Sequence, residues 1–181
     1  MPRILPRVRR SDGPLTARQL RRWERRYAAG EERPLGSYAG LLLTYSTMTA
    51  GLIAAGRARR VSLPEHVPLA DLAMLAVGTF RAARLITKDS VTAVARAPFT
   101  RFEGPGAPGE VQEEVVGTGP RHAVGELLSC PFCISVWLST VGVFGMVAFP
   151  RQTRLVCSVF GVSAASDALQ FAYSAIHEAA E

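Results

Sequence analysis

Two long stretches without a charged residue limit what this chain can fold into. Pro34 to Gly56 ("PLGSYAGLLLTYSTMTAGLIAAG") runs for 23 residues and Leu127 to Pro150 ("LLSCPFCISVWLSTVGVFGMVAFP") for 24. A helix rises about 1.5 Å per residue, so about 20 residues cross the hydrocarbon layer of a bilayer. Two buried helices of a water-soluble domain would each show a polar face, and neither run has one. Both read as membrane spans, near 38–56 and 132–149.

Two further apolar segments carry charges. "PLADLAMLAVGTFRAARLIT" (68–87) holds Asp71, Arg81 and Arg84, and "TRLVCSVFGVSAASDALQFAYSAI" (153–176) holds Asp167. Asp71 falls in the first turn after Pro68, where an acid suits the positive helix end. Arg81 and Arg84 fall in the last turns, where long stems snorkel outward. The expected fold is therefore all-α: an integral membrane protein with about four transmembrane helices (38–56, 69–87, 132–149, 153–174) plus an N-terminal amphipathic basic helix. Two spans with two interfacial helices is the alternative. Residues 1–37 form a basic tail, 38–176 the membrane domain, and 88–131 a connecting loop.

Charge sets the expected orientation. Ten of the 21 basic residues lie in the tail, as Arg3, Arg7, Arg9, Arg10, Arg18, Arg21, Arg22, Arg25, Arg26 and Arg33. With Lys88, Arg96, Arg101 and Arg121 of the loop they make fourteen, against five at the other ends (Arg57, Arg59, Arg60, Arg151, Arg154). By the positive-inside rule both termini and the loop are expected in the cytoplasm, in a bacterial inner membrane. The start "MPRILPRVRRSDGP" has no apolar core of a cleavable signal peptide. Within the tail, "ARQLRRWERRYAAG" (17–30) puts Leu20, Trp23 and Tyr27 on one helical face with arginines around them, the pattern of a helix in a membrane interface. Its expected partner is anionic lipid headgroups rather than nucleic acid, with a solvated charge run as the plainer alternative. After a short helix from about Ser90 that stops before Pro98, "EGPGAPGE" reads as flexible linker and "EVQEEVV" as an acidic patch. "GPRHAVGELL" resumes helical character.

Three groups could carry chemistry. Counted from the helix starts, Arg84 and Asp167 lie at similar depth on parallel helices, so an intramembrane Arg84–Asp167 pair assisted by Arg81 or Gln170 is expected. Fastening two helices is favoured over transport, because one acid and two permanently charged arginines make a poor proton relay. Cys130 and Cys133 in "SCPFC" have thiol-oxidoreductase spacing, with Pro131 at the first helical position and Cys130 at the cap. No βαβ pattern surrounds them, however, and Cys157 is too far away to serve as a second thiol partner. His122, Glu126 and Cys130 recur every four residues, and with Cys133 they make a complete though unusual zinc donor set. The plain alternative is that small cysteines pack at a helix entrance while Phe132 and Trp137 anchor at the interface. Phosphate-loop, serine-elbow and His-Glu-x-x-His signatures are absent.

The phrases "FRAARLITKDSVTAVARAPFTRFEG", "RHAVGELLSCPFCISVWLS", "PRQTR" and "SDALQFAY" resemble the bacterial membrane-protein family known as domain of unknown function 1360, over roughly residues 69–174. The resemblance implies a small multi-pass membrane protein without an established activity, some relatives carrying a sporulation label. It singles out Arg84, Asp89, Thr92, Arg96, Pro98, Phe99, Gly125, Glu126, Cys130, Cys133, Trp137, Asp167 and Gln170 and gives none of them a role. The expected function is a non-enzymatic membrane scaffold or interaction protein, a homo-oligomer or bound to another protein. A membrane thiol or metal protein is the alternative, and a small transport subunit the third reading.

Overall fold

The computed structural model describes residues 17–28 and 33–180. The expectations for residues 1–16 and 29–32 of the tail lie outside the described residues. Among the described residues, seven helices and one hairpin follow in order: α1 (Ala17–Ala28), α2 (Leu35–Ala58), α3 (Leu69–Lys88), α4 (Ala93–Arg96), β1 (Thr100–Pro105), β2 (Val111–Val115), α5 (Pro120–Ser129), α6 (Pro131–Ala148) and α7 (Pro150–Ala180). Prolines punctuate the chain. Pro34 and Pro68 immediately precede α2 and α3, and Pro120, Pro131 and Pro150 are the first residues of α5, α6 and α7. Proline fits there because its missing N–H would have no partner in a helix's first turn.

The long helices alternate in direction. Along α2 and α6, Tyr45 meets Thr140 and Trp137 while Arg59 lies over Phe149, so the two run parallel. Along α3 and α7, Asp71 meets Arg154 and Arg81 meets Asp167, so they are parallel as well. α6 and α7 form an antiparallel hairpin turned at Phe149, whose N–H donates to Gly145 O at 2.7 Å. The starts of α2 and α6 therefore share an end of the bundle with the finishes of α3 and α7. Small residues allow close approach along these seams. A Cβ on Gly78 would sit 3.3 Å from the Cys157 side chain, and one on Gly142 only 2.5 Å from Leu75 Cδ1.

The buried core is small, with Leu75, Met146 and Cys157 packed beside Met74. Most other apolar side chains point outward, among them Leu42, Leu43, Val162 and Leu169, each about two-thirds exposed or more. Apolar surface of that extent is the mark of a membrane-facing protein. Among the described residues, three helices are long and apolar enough to cross a bilayer: α2, α6 and α7.

Two expectations need correction. Among the described residues the span count is three, not four, because α3 carries Asp71, Arg81, Arg84 and Lys88, too many charges for a span. It packs instead between α6 and α7, with Asp71, Leu75, Gly78, Ala83 and Thr87 buried. The fold is also not purely helical. The segment read as linker and acidic patch is an antiparallel hairpin, with Thr100 opposite Val115, Phe102 opposite Glu113 and Pro105 opposite Val111, and a bulge between Phe102 and Gly104. An additional bridge joins Asp89 to Glu110. Together with α4 and α5 the hairpin makes a compact cap on one end of the bundle.

Candidate functional site

The cap is organised around Arg96, whose residue surface is 0% exposed. Such a side chain persists only if each donor finds an acceptor. Nε donates to Glu113 Oε2 at 2.7 Å and one Nη2 hydrogen to Glu113 Oε1 at 3.0 Å, a two-pronged fork. The other Nη2 hydrogen goes to Asp89 O at 3.0 Å, and Nη1 donates to Ile86 O at 2.7 Å and Thr92 Oγ1 at 2.8 Å. All five N–H donors are thus used. One side chain ties the finish of α3, the turn after it, α4 and β2 together. Thr100 Oγ1 lies 3.0 Å from Arg96 O and 3.1 Å from Glu113 Oε2, closing the ring.

Burial raises the cost of charge on Glu113, but the Arg96 hydrogen bonds and charge, with the Thr100 hydroxyl and Lys88, outweigh it and hold the carboxyl below its usual value. A depressed carboxyl contributes stability that is whole above the unfolded value, about 4.3, and is lost as pH falls through the folded one. The cap should therefore loosen below about pH 4 while the bundle persists. Circular dichroism of the protein in micelles, followed from pH 6 to pH 3 with proteolysis of the 100–116 segment, checks this. Glu113→Gln should flatten the response.

Pro98, Phe99 and Gly125 build the same cap. Pro98 O accepts from Arg121 Nε at 2.8 Å, and Phe99 O accepts from Val116 N–H at 2.9 Å. Gly125 lets α5 lie on the hairpin: a Cβ there would come 2.6 Å from Val115 Cγ1 and 3.0 Å from Phe99 O. Trp137 stacks edge-on against Tyr45, ring centroids 5.3 Å apart, joining α6 to α2.

The expected intramembrane pair is corrected in its partner. Asp167 pairs with Arg81, Oδ2 to Nε at 2.9 Å, and the same Nε reaches Ser163 Oγ at 3.0 Å. Arg84 turns instead to Glu110 in the hairpin and lies over the Phe80 ring. Gln170 bonds Ser166 on its own helix at 3.4 Å. The reason is helical phase. Asp71, Met74, Gly78 and Arg81 follow the three-and-four spacing of one face toward α7, and Arg84 stands beside that row. At the far end of the seam Arg154 forks onto Asp71, at 2.9 and 2.6 Å. A groove of about 860 Å³ opens beside Arg81, Arg84, Asp167 and Glu110, between α3, α7 and the hairpin turn. These four charges pair with one another at its wall.

Cys130 caps α6 as expected. Its Sγ accepts from Cys133 N–H at 3.3 Å, and the two sulfurs lie 2.6 Å apart as free thiols. His122 Nε2 is 3.5 Å from Glu126 Oε1, but Glu126 is committed elsewhere. Arg33 Nη1 donates to its Oε1 at 2.9 Å and Tyr38 OH to its Oε2 at 2.5 Å. The proposed zinc donors thus separate into two pairs, and among the described residues no group of three or more His, Cys, Asp or Glu side chains is placed to hold a metal ion.

Sequence reasoning missed Glu113, Thr100, Tyr38 and the Asp71–Arg154 fork. Glu113 had a signal: Val111, Glu113 and Val115 alternate on one side of β2, and an acid between two valines on the inward face asks for a buried cation.

Three apolar helices under a polar cap make this a membrane protein. The chain belongs to the family described as Protein of unknown function (DUF1360), which matches residues 74–173 and leaves the basic tail outside. It is similar to the sporulation protein YjcA of Bacillus subtilis strain 168, 30% identical over 95 residues that cover 51% of this chain and 80% of that protein. No solved structure matches it.

Proposed function

We propose that the protein is a non-enzymatic scaffold of the bacterial inner membrane that serves sporulation, presenting its cap and basic tail to the cytoplasm. The observation that carries this reading is Arg96: its five donors are all spent inside the protein. With Thr92, Pro98, Phe99 and Gly125 it goes into holding a shape rather than lining an open site. The similarity to a sporulation protein supports the process, and the excess of arginine at the cap end supports the orientation.

Complementation tests it. In a spore-forming strain lacking its own family member, this chain should restore spore yield. The Cys130→Ser, Cys133→Ser variant and the His122→Gln variant should do so within about twofold, since both keep the cap folded. Arg96→Ala should not. A folded, membrane-inserted cysteine variant that fails to complement would overturn the scaffold reading in favour of a thiol or metal protein.

A further inference from the structure

We propose that α1 is an in-plane anchor that selects anionic phospholipid and is tethered at headgroup level by Glu126; this rests on the membrane scaffold reading above. At about 100° per residue, Arg18, Arg22, Arg25 and Arg26 fall within an arc of about 100°, Trp23 lies about 60° beyond its Arg26 edge and Tyr27 about 100° beyond it. All four arginines are exposed. Trp23 is 48% and Tyr27 67% exposed, so about half of one ring system and two-thirds of the other stay open. A helix of twelve residues is marginal alone in water. An interface that takes the rings on its apolar side and meets the guanidinium groups with phosphates supplies what the helix lacks.

Position selects lipid over nucleic acid. α1 lies beside α2, and only residues 29–34 separate it from Leu35, a reach of at most about 20 Å. The tether is specific: Arg33 and Tyr38 both donate to Glu126, fixing the point where the tail leaves α2 against α5, next to the start of α6. Aromatics grouped outside the arginine arc, rather than interleaved with it, fit a layered apolar–anionic boundary better than a single strand with stacked bases.

The test uses the full chain in nanodiscs containing brominated phosphatidylglycerol or brominated phosphatidylcholine at equal mole fraction. The Trp23 signal is the difference between the protein and its Trp23→Phe variant, which retains Trp137. Brominated phosphatidylglycerol should quench Trp23 at least twofold more than the zwitterionic lipid at low salt, and the difference should vanish near 0.5 M salt. Arg18→Gln, Arg22→Gln, Arg25→Gln, Arg26→Gln together should remove the preference, and Glu126→Gln should weaken the quenching. Equal quenching by both lipids, no quenching by either, or release of Trp23 by a single-stranded oligonucleotide would overturn the proposal. Equal quenching by the two lipids in a wild-type chain that still restores spore yield would sink this proposal and leave the scaffold reading standing.

Discussion

Arg96→Ala is expected to unfold the cap while the helices stay in the membrane. Removing the guanidinium leaves Glu113, whose side chain is 7% exposed, charged and without its cation. It also strips acceptors Ile86 O, Asp89 O and Thr92 Oγ1 of their donor at once. Breaking a buried pair from one side costs about 3–5 kcal/mol, comparable to the stability of so small a unit. Arg96→Lys keeps the charge but supplies three donors on a point-like head, so it should rescue only part of the loss. A paired Arg96→Met, Glu113→Leu variant should be markedly more stable than Arg96→Ala, because neither buried charge is then left alone. Limited proteolysis between residues 89 and 120, with the intact α6–α7 fragment as the internal reference, reads all three.

Gly78→Leu is expected to produce a large loss of stability in the bundle. Gly78 is buried on α3, and even a Cβ there would lie 3.3 Å from Cys157 Cβ and Sγ and 3.4 Å from its Cα. A leucine has no room unless the helices part. Parting them stretches the Asp71–Arg154 fork on one side and the Arg81–Asp167 pair on the other. Overpacking of this kind costs about 1–3 kcal/mol. Thermal unfolding in detergent should show a clear drop for Gly78→Leu and a slight one for Gly78→Ala. Gly51→Leu on α2, where a Cβ meets no atom within 4 Å, should melt like the parent.

How much of this was legible follows from which interactions are local. The uncharged runs located α2 and α6 to within a few residues, and Pro131 with Cys130 located the start of α6, since length and capping are properties of adjacent residues. The helices of α3 and α7 were located too, but the span count was not. α3 was counted as a fourth span although Asp71, Arg81, Arg84 and Lys88 make it too charged for one, and Arg154 and Asp167 of α7 pair two of those charges in a packed seam. Depth counted from helix starts also paired the wrong arginine with Asp167, because depth ignores which side of the helix a residue occupies. The hairpin was hidden by its own turn: "GPGAPGE" carries the prolines and glycines of a linker, and only the alternation on either side, "TRFE" and "VQEEV", marks strands. Arg96 and Glu113 are 17 residues apart with that turn between them, so their pairing became visible only with the register. The cysteines and the His122–Glu126 pair stand where helical spacing put them, but Glu126 is drawn to Arg33 and Tyr38 from distant sequence.

Hydrogen exchange of the wild-type protein in lipid nanodiscs tests the central claim most directly, that the family-motif residues hold a folded cap. The amides of Gly106 and Val116 donate to Glu110 O and Phe99 O, and alternate amides of β1 and β2 face the partner strand. They should exchange at least about 100-fold slower than an unstructured peptide. Exchange across residues 100–116 at the unstructured rate would contradict the account and return that segment to a linker.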